Sequence, residues 1–187
     1  MSDYNKTSEA DGPHGEKTIF TLEELKEQKY WFELRPDIFY GYRANMSYKK
    51  CTKSICQLHN ETGNFWSHFI CFLYGLVMLY KLFNNQFEPE INENKAMCYL
   101  GTFGGLCCMG ASSMYHIYRD VGQKENQMFL KIDLIGIVLM IFVFAFVAVW
   151  LAFSPHPLER GYIFMALAGI FFTNLFLSMT PCYSDDK

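Results

Sequence analysis

Four apolar blocks dominate the chain after residue 64: Phe65 to Phe83, Ala96 to Tyr118, Phe129 to Phe153 and Tyr162 to Met179. A helix that crosses a bilayer core needs about 17–25 mostly apolar residues, and every block reaches that length. The third is the clearest, with no charge between Asp133 and Pro155. The first and second each contain a histidine, and the second contains several glycines. The pattern predicts an all-α fold, a polytopic membrane helix bundle with four transmembrane helices over residues 61–180. A soluble bundle of unusually apolar helices is the alternative.

Overall composition decides less than this distribution. At 51% hydrophobic residues the chain lies at the high end of the soluble range. A net charge of −3 gives no basic bias, so nucleic acid is not an expected partner. Seven cysteines form no C-x-x-C, and Cys71, Cys98, Cys107 and Cys108 lie inside apolar blocks. These are expected to be reduced thiols behaving as small hydrophobes. The first twenty residues lack an apolar core, so no cleavable signal peptide is expected.

Ahead of the blocks, residues 1–20 form a polar stretch without periodicity, expected to be disordered. Residues 21–60 read as a cytoplasmic segment with a short helix and a basic patch. Thr21-Leu22-Glu23-Glu24 has the form of a capping box, although a polar segment can match that form by chance. Tyr30, Trp31, Phe32, Phe39, Tyr40 and Tyr42 suggest an extended run lying on the membrane surface or on the bundle. Arg43, Lys49, Lys50 and Lys53 make the patch. It suits a partner surface, anionic headgroups or a bare topology signal. Residues 181–187 form a polar C-terminal tail.

Lysine and arginine concentrate before the first block and in the loop after the second, which carries Arg119, Lys124 and Lys131. The loop after the first block is acidic, with Glu88, Glu90 and Glu93. Basic loops stay in the cytoplasm, so the N-terminus is placed there. On that topology the sequons at Asn5, Asn45 and Asn60 are not expected to carry sugar.

Polar residues now gain meaning. Glu61, Asn64 and His68 share one helical face at the mouth of the first block. Ser112 and His116 lie i, i+4 at the cytoplasmic end of the second, and Asp133 sits in the first turns of the third. Each has an ordinary reading when taken alone. Ser112 can bond its own helix carbonyl, His116 can pack at the interface, His68 can pair with Glu61, and Asp133 can sit at headgroup level. All six converge at one depth from three helices, which points to a shared polar site. Gly101, Gly105 and the series Gly104, Cys108, Ser112 are small residues suited to close helix packing.

These motifs resemble the progestin and adipoQ receptor family, related to the adiponectin receptors and to haemolysin III. They are Asn60-Glu61-Thr62-Gly63-Asn64-Phe65-Trp66-Ser67-His68, then Ser112-x-x-x-His116, then Asp133 with Gly136, seventeen residues separating His116 from Asp133. Asp37-Ile38-Phe39-Tyr40-Gly41-Tyr42-Arg43 and Cys51-Thr52-Lys53-Ser54 look closest to the branch named for trapping Raf kinase at the Golgi. The resemblance implies a seven-helix fold with a cytoplasmic N-terminus and a zinc ion near the cytoplasmic face. It implies His116 as a zinc ligand, Ser112 and Asp133 around the zinc-bound water, and Glu61, Asn64 and His68 as supports.

The family's two further zinc histidines, H-x-x-x-H on its last span, have no counterpart here, so the chain reads as C-terminally truncated. A catalytic zinc needs three protein ligands and an open position for water. Two classes of function follow. One is a membrane receptor, signalling regulator or tether of the Golgi or plasma membrane, working with membrane lipids and a cytoplasmic signalling protein. The other is the zinc-dependent sphingolipid amide hydrolase that the family implies, with little activity expected from this chain alone. A third possibility is an inert or dominant-negative fragment assembling with full-length protein.

Overall fold

The computed structural model describes residues 17–28, 31, 34–87 and 94–180. Within them the chain forms a short antiparallel hairpin, two short helices and four long helices.

The hairpin pairs β1 (Ile19–Thr21) with β2 (Tyr40–Arg43), and Phe20 faces Tyr42 in its register. This adds one two-stranded sheet to a mostly helical fold and pairs Ile19 and Phe20, which fall within the stretch expected to be disordered. Residues 1–16 lie outside the described residues, as do Tyr30 and Phe32 and the tail 181–187. The hairpin has its own small core of Phe20, Leu22, Leu25, Tyr42 and Ala44, with Leu34 and Ile38 against it. The expected aromatic run therefore splits: Phe39 and Tyr40 are exposed while Tyr42 is buried. The Tyr42 hydroxyl donates to the Arg35 carbonyl at 2.8 Å and accepts from the Arg35 amide at 2.9 Å.

The capping box is real. Helix α1 (Leu22–Glu27) begins with the Thr21 hydroxyl accepting from the Glu24 amide, while the Glu24 carboxylate accepts from the Thr21 amide at 2.8 Å. Both contacts satisfy donors that a helix N-terminus otherwise leaves unpaired. Thr21→Ala is expected to cost about 1 kcal/mol, read as faster proteolysis of this segment. Helix α2 (Tyr48–Ser54) follows, capped by Ser47.

The long helices are α3 (Thr62–Phe83), α4 (Lys95–Tyr118), α5 (Gln123–Ala152) and α6 (Pro157–Met179). Helix α4 packs between α3 and α5, and α6 packs on α5. Among the described residues α3, α5 and α6 are long and apolar enough to cross a membrane. Helix α4 has the length but is diluted by Gly101, Gly104, Gly105, Gly110, Ser112 and Ser113. Its position explains part of the difference: Gly104 lies against the Val143 side chain of α5 and Gly110 against the Phe72 ring of α3, whereas at Gly101, expected to serve close packing, nothing lies within 4 Å.

Helix α5 begins six residues earlier than the apolar block, so Asp133 lies nearly three turns in, about 15 Å from the helix start. Counted from Phe129, where the apolar stretch begins, it lies four residues in. The two counts differ because Gln123–Gln127, although polar, continues the same helix beyond the apolar stretch.

Candidate functional site

Polar side chains from the hairpin, α2, α3 and α4 collect where α3 begins and α4 ends. Glu61, the residue before α3, is 5% exposed and lies at the centre. One carboxylate oxygen meets His116 Nδ1 at 2.8 Å and accepts from the Asn64 amide at 3.0 Å. The other accepts from Arg119 Nη1 at 3.1 Å. Burial pushes the Glu61 carboxyl up. The His116 hydrogen bond, the Arg119 charge and the Asn64 amide outweigh it and hold the group well below the usual carboxylate range. His68 does not pair with Glu61, as its shared face had allowed. Its ring stacks on His116 with centroids 5.1 Å apart and planes 8° from parallel.

One turn deeper, the Ser112 hydroxyl donates to the Asp133 carboxylate, joining α4 to α5. Ser112 is thus bonded across to another helix, which its ordinary reading did not anticipate. The six residues do gather, but in two tiers separated by a helical turn of α4, about 6 Å for the four residues from Ser112 to His116. The lower tier holds Glu61, Asn64, His68 and His116, and the upper holds Ser112 and Asp133. Among the described residues no hydrogen bond joins Asp133 to His116.

The sequence reading missed three members. Arg43 was assigned to the surface patch, yet it is fully buried. Its Nε and Nη2 both reach Asp120 Oδ2, at 2.8 and 2.7 Å. Its Nη1 donates to Ser54 Oγ at 3.0 Å, and Nη2 also donates to the His116 carbonyl at 2.7 Å. Asp120 is 3% exposed, and its second oxygen lies 3.6 Å from Arg119 Nε. The ion pairs therefore run from Arg43 through Asp120 and Arg119 to Glu61, which meets the His116 ring, and the hydrogen bond that Arg43 donates to the His116 carbonyl closes the ring. Lys49 and Lys53 remain exposed on α2.

The loop before α3 is tied into the same corner. The Asn60 amide donates to the Gly41 carbonyl at 2.9 Å. Gly41 has φ +96, and a Cβ there would lie 3.1 Å from the Asn60 nitrogen. His59 accepts the Glu61 amide at Nδ1, 3.1 Å away. Burial first, and then the Arg43 charge, lower His59 from 6.5 to about 4. The sign follows directly. Between these values the unfolded chain carries a proton that the folded chain refuses, so stability falls as pH drops through that window. Detergent-purified protein is expected to lose thermal stability from pH 6.5 toward 4, with His59→Asn flattening part of the fall.

Zinc can be tested against these residues. Glu61 engages Nδ1 of His116 and leaves Nε2 as a donor atom, the arrangement usual for a ligating imidazole. That is one ligand. Among the described residues no three histidine, cysteine or acidic side chains gather to hold a metal ion. Taken alone, the residues present do not complete a catalytic zinc site.

Long apolar helices with an ionic cluster at one end define an integral membrane protein of helical architecture. Residues 56–187 match the haemolysin-III related family model, and the chain belongs to that family. It is 31% identical over 114 residues to an adiponectin receptor protein of Drosophila melanogaster, covering 59% of this chain and 25% of the relative. It is 30% identical over 148 residues to heptahelical transmembrane protein 1 of Arabidopsis thaliana, covering 74% and 43%. It is 26% identical over 151 residues to progestin and adipoQ receptor family member 3 of mouse, covering 79% and 49%. The chain thus spans a quarter to a half of the length of these relatives.

Proposed function

We propose that this chain is a membrane receptor or signalling regulator whose cytoplasmic segment meets a partner while its helices hold it in the bilayer. The observation that carries the reading is the closed ring of ion pairs and hydrogen bonds through Arg43, Asp120, Arg119, Glu61 and His116. It joins the hairpin to the start of α3 and the end of α4, so an event at either end is felt at the other. Within this reading the N-terminus is cytoplasmic, α4 is the second of four spans, and the membrane is that of the Golgi or the cell surface. His116 contributes a single zinc ligand to a site that this chain's described residues leave incomplete.

The competing reading is a zinc-dependent amide hydrolase acting on a sphingolipid, with Asp133 and Ser112 beside the reacting water. Metal analysis of protein purified in detergent separates the two. Substoichiometric zinc, with no release of fatty acid from ceramide, supports the receptor. Near-stoichiometric zinc together with ceramide cleavage overturns it. One observation favours assembly with further helices of a family bundle: no described residue of α6 is buried. Co-purification with a full-length relative tests that reading.

A further inference from the structure

The pair at the centre of the lower tier, Glu61 and His116, is made by two helix ends that the fold has to bring together. Glu61 precedes the first turn of α3, and His116 lies in the last turn of α4. Strand β2 reaches both. At one end the Gly41 carbonyl accepts from the amide of Asn60, the residue before Glu61. Two residues on, Arg43 holds the main-chain carbonyl of His116 at 2.7 Å. The same guanidinium fixes Asp120, which lies beside Arg119, the cation on the far oxygen of Glu61. Four residues of strand thus grip the backbone on both sides of the 2.8 Å contact between Glu61 and His116.

We propose that β2 is the clasp that sets this pair and that Arg43 is its positioning residue. The inference goes beyond the receptor reading and requires no metal. It gives the hairpin a definite route to the site: displacement of β2 releases the His116 carbonyl and the Asn60 amide together. His116 Nδ1 then loses its alignment on Glu61, and with it the hydrogen bond that holds a proton on Nδ1. A carboxylate is an acceptor only, so an intact contact assigns the imidazole proton to Nδ1.

The tautomer can be read directly. The full chain is incorporated into lipid nanodiscs with histidine labelled by nitrogen-15 in the ring, and the His116 signals are assigned by their loss in His116→Gln. The native chain is expected to show distinct Nδ1 and Nε2 signals, with the Nδ1 proton held on Glu61. Arg43→Lys retains a cation for Asp120, but one ammonium nitrogen cannot reproduce three guanidinium nitrogens on three different acceptors. Gly41→Ala leaves every charge in place and pushes the strand off Asn60. Both variants, like Glu61→Gln, are expected to draw the two signals toward their averaged position. Gly104→Val, which crowds Val143 on α5 about three turns from His116, is expected to destabilise the bundle yet leave them unmoved. Signals at the native positions in both Arg43→Lys and Gly41→Ala overturn the proposal. So does an equal displacement in Gly104→Val, which would reduce Arg43 to a general stabiliser.

Discussion

Asp120→Leu is expected to destabilise the chain by about 3–5 kcal/mol, the usual cost of removing one partner from a buried ion pair. The loss comes from what remains. Arg43 is fully buried, and without Asp120 its guanidinium keeps only Ser54 and a main-chain carbonyl as neutral acceptors. An uncompensated buried cation is far more costly than a missing contact. Arg43→Met should show a comparable loss, since it strands Asp120 beside Arg119. The double variant Arg43→Met/Asp120→Leu should recover a good part of either loss, because an apolar pair leaves no charge behind. Thermal unfolding of the four proteins in one detergent gives the cycle. Additive losses would mean that the two residues act separately.

The second large effect concerns the crossing of α4 and α5. A Cβ at Gly136 would lie 3.1 Å from the Cys108 Cα, 3.3 Å from the Ala111 Cβ and 3.5 Å from the Cys107 carbonyl oxygen. Two of these three neighbours are backbone atoms, so they cannot swing aside as a side chain does. Gly136→Val should therefore separate the helices at the level of Ser112 and Asp133, at about 1–3 kcal/mol for overpacking. Gly101 provides the control. Nothing lies within 4 Å of a Cβ there, and Gly101→Ala should be neutral or gain up to about 1 kcal/mol through helix propensity. Equal losses at the two positions would count against close approach as the reason for Gly136.

The long helices were legible because hydropathy over twenty residues is a strong signal, and because Thr21 and Glu24 fit a local rule spanning four positions. The hairpin was not. Ile19–Thr21 and Tyr40–Arg43 are too short to show alternation, and their pairing spans a polar stretch. In the site, Glu61, Ser112, His116 and Asp133 stood out as polar groups embedded in or beside apolar blocks. Arg43 did not, because an arginine near three lysines has the composition of a solvated face. Only its partner distinguishes it, and Asp120 lies 77 positions away. A signal existed in retrospect: Arg119-Asp120 places opposite charges side by side at the end of a long helix. Adjacent charges of opposite sign in a loop are too common to single out unaided. The start of α5 was not legible, because hydropathy marks where the apolar stretch begins, whereas hydrogen bonding determines where the helix begins.

The separation of 77 positions between Arg43 and Asp120 also orders the events of biosynthesis. The strand is made before α4, so its guanidinium cannot meet Asp120 until the last turn of that helix has been made and has come to the strand. The amino-terminal segment therefore closes late, and a chain in which α4 fails to reach β2 would keep that guanidinium in solvent.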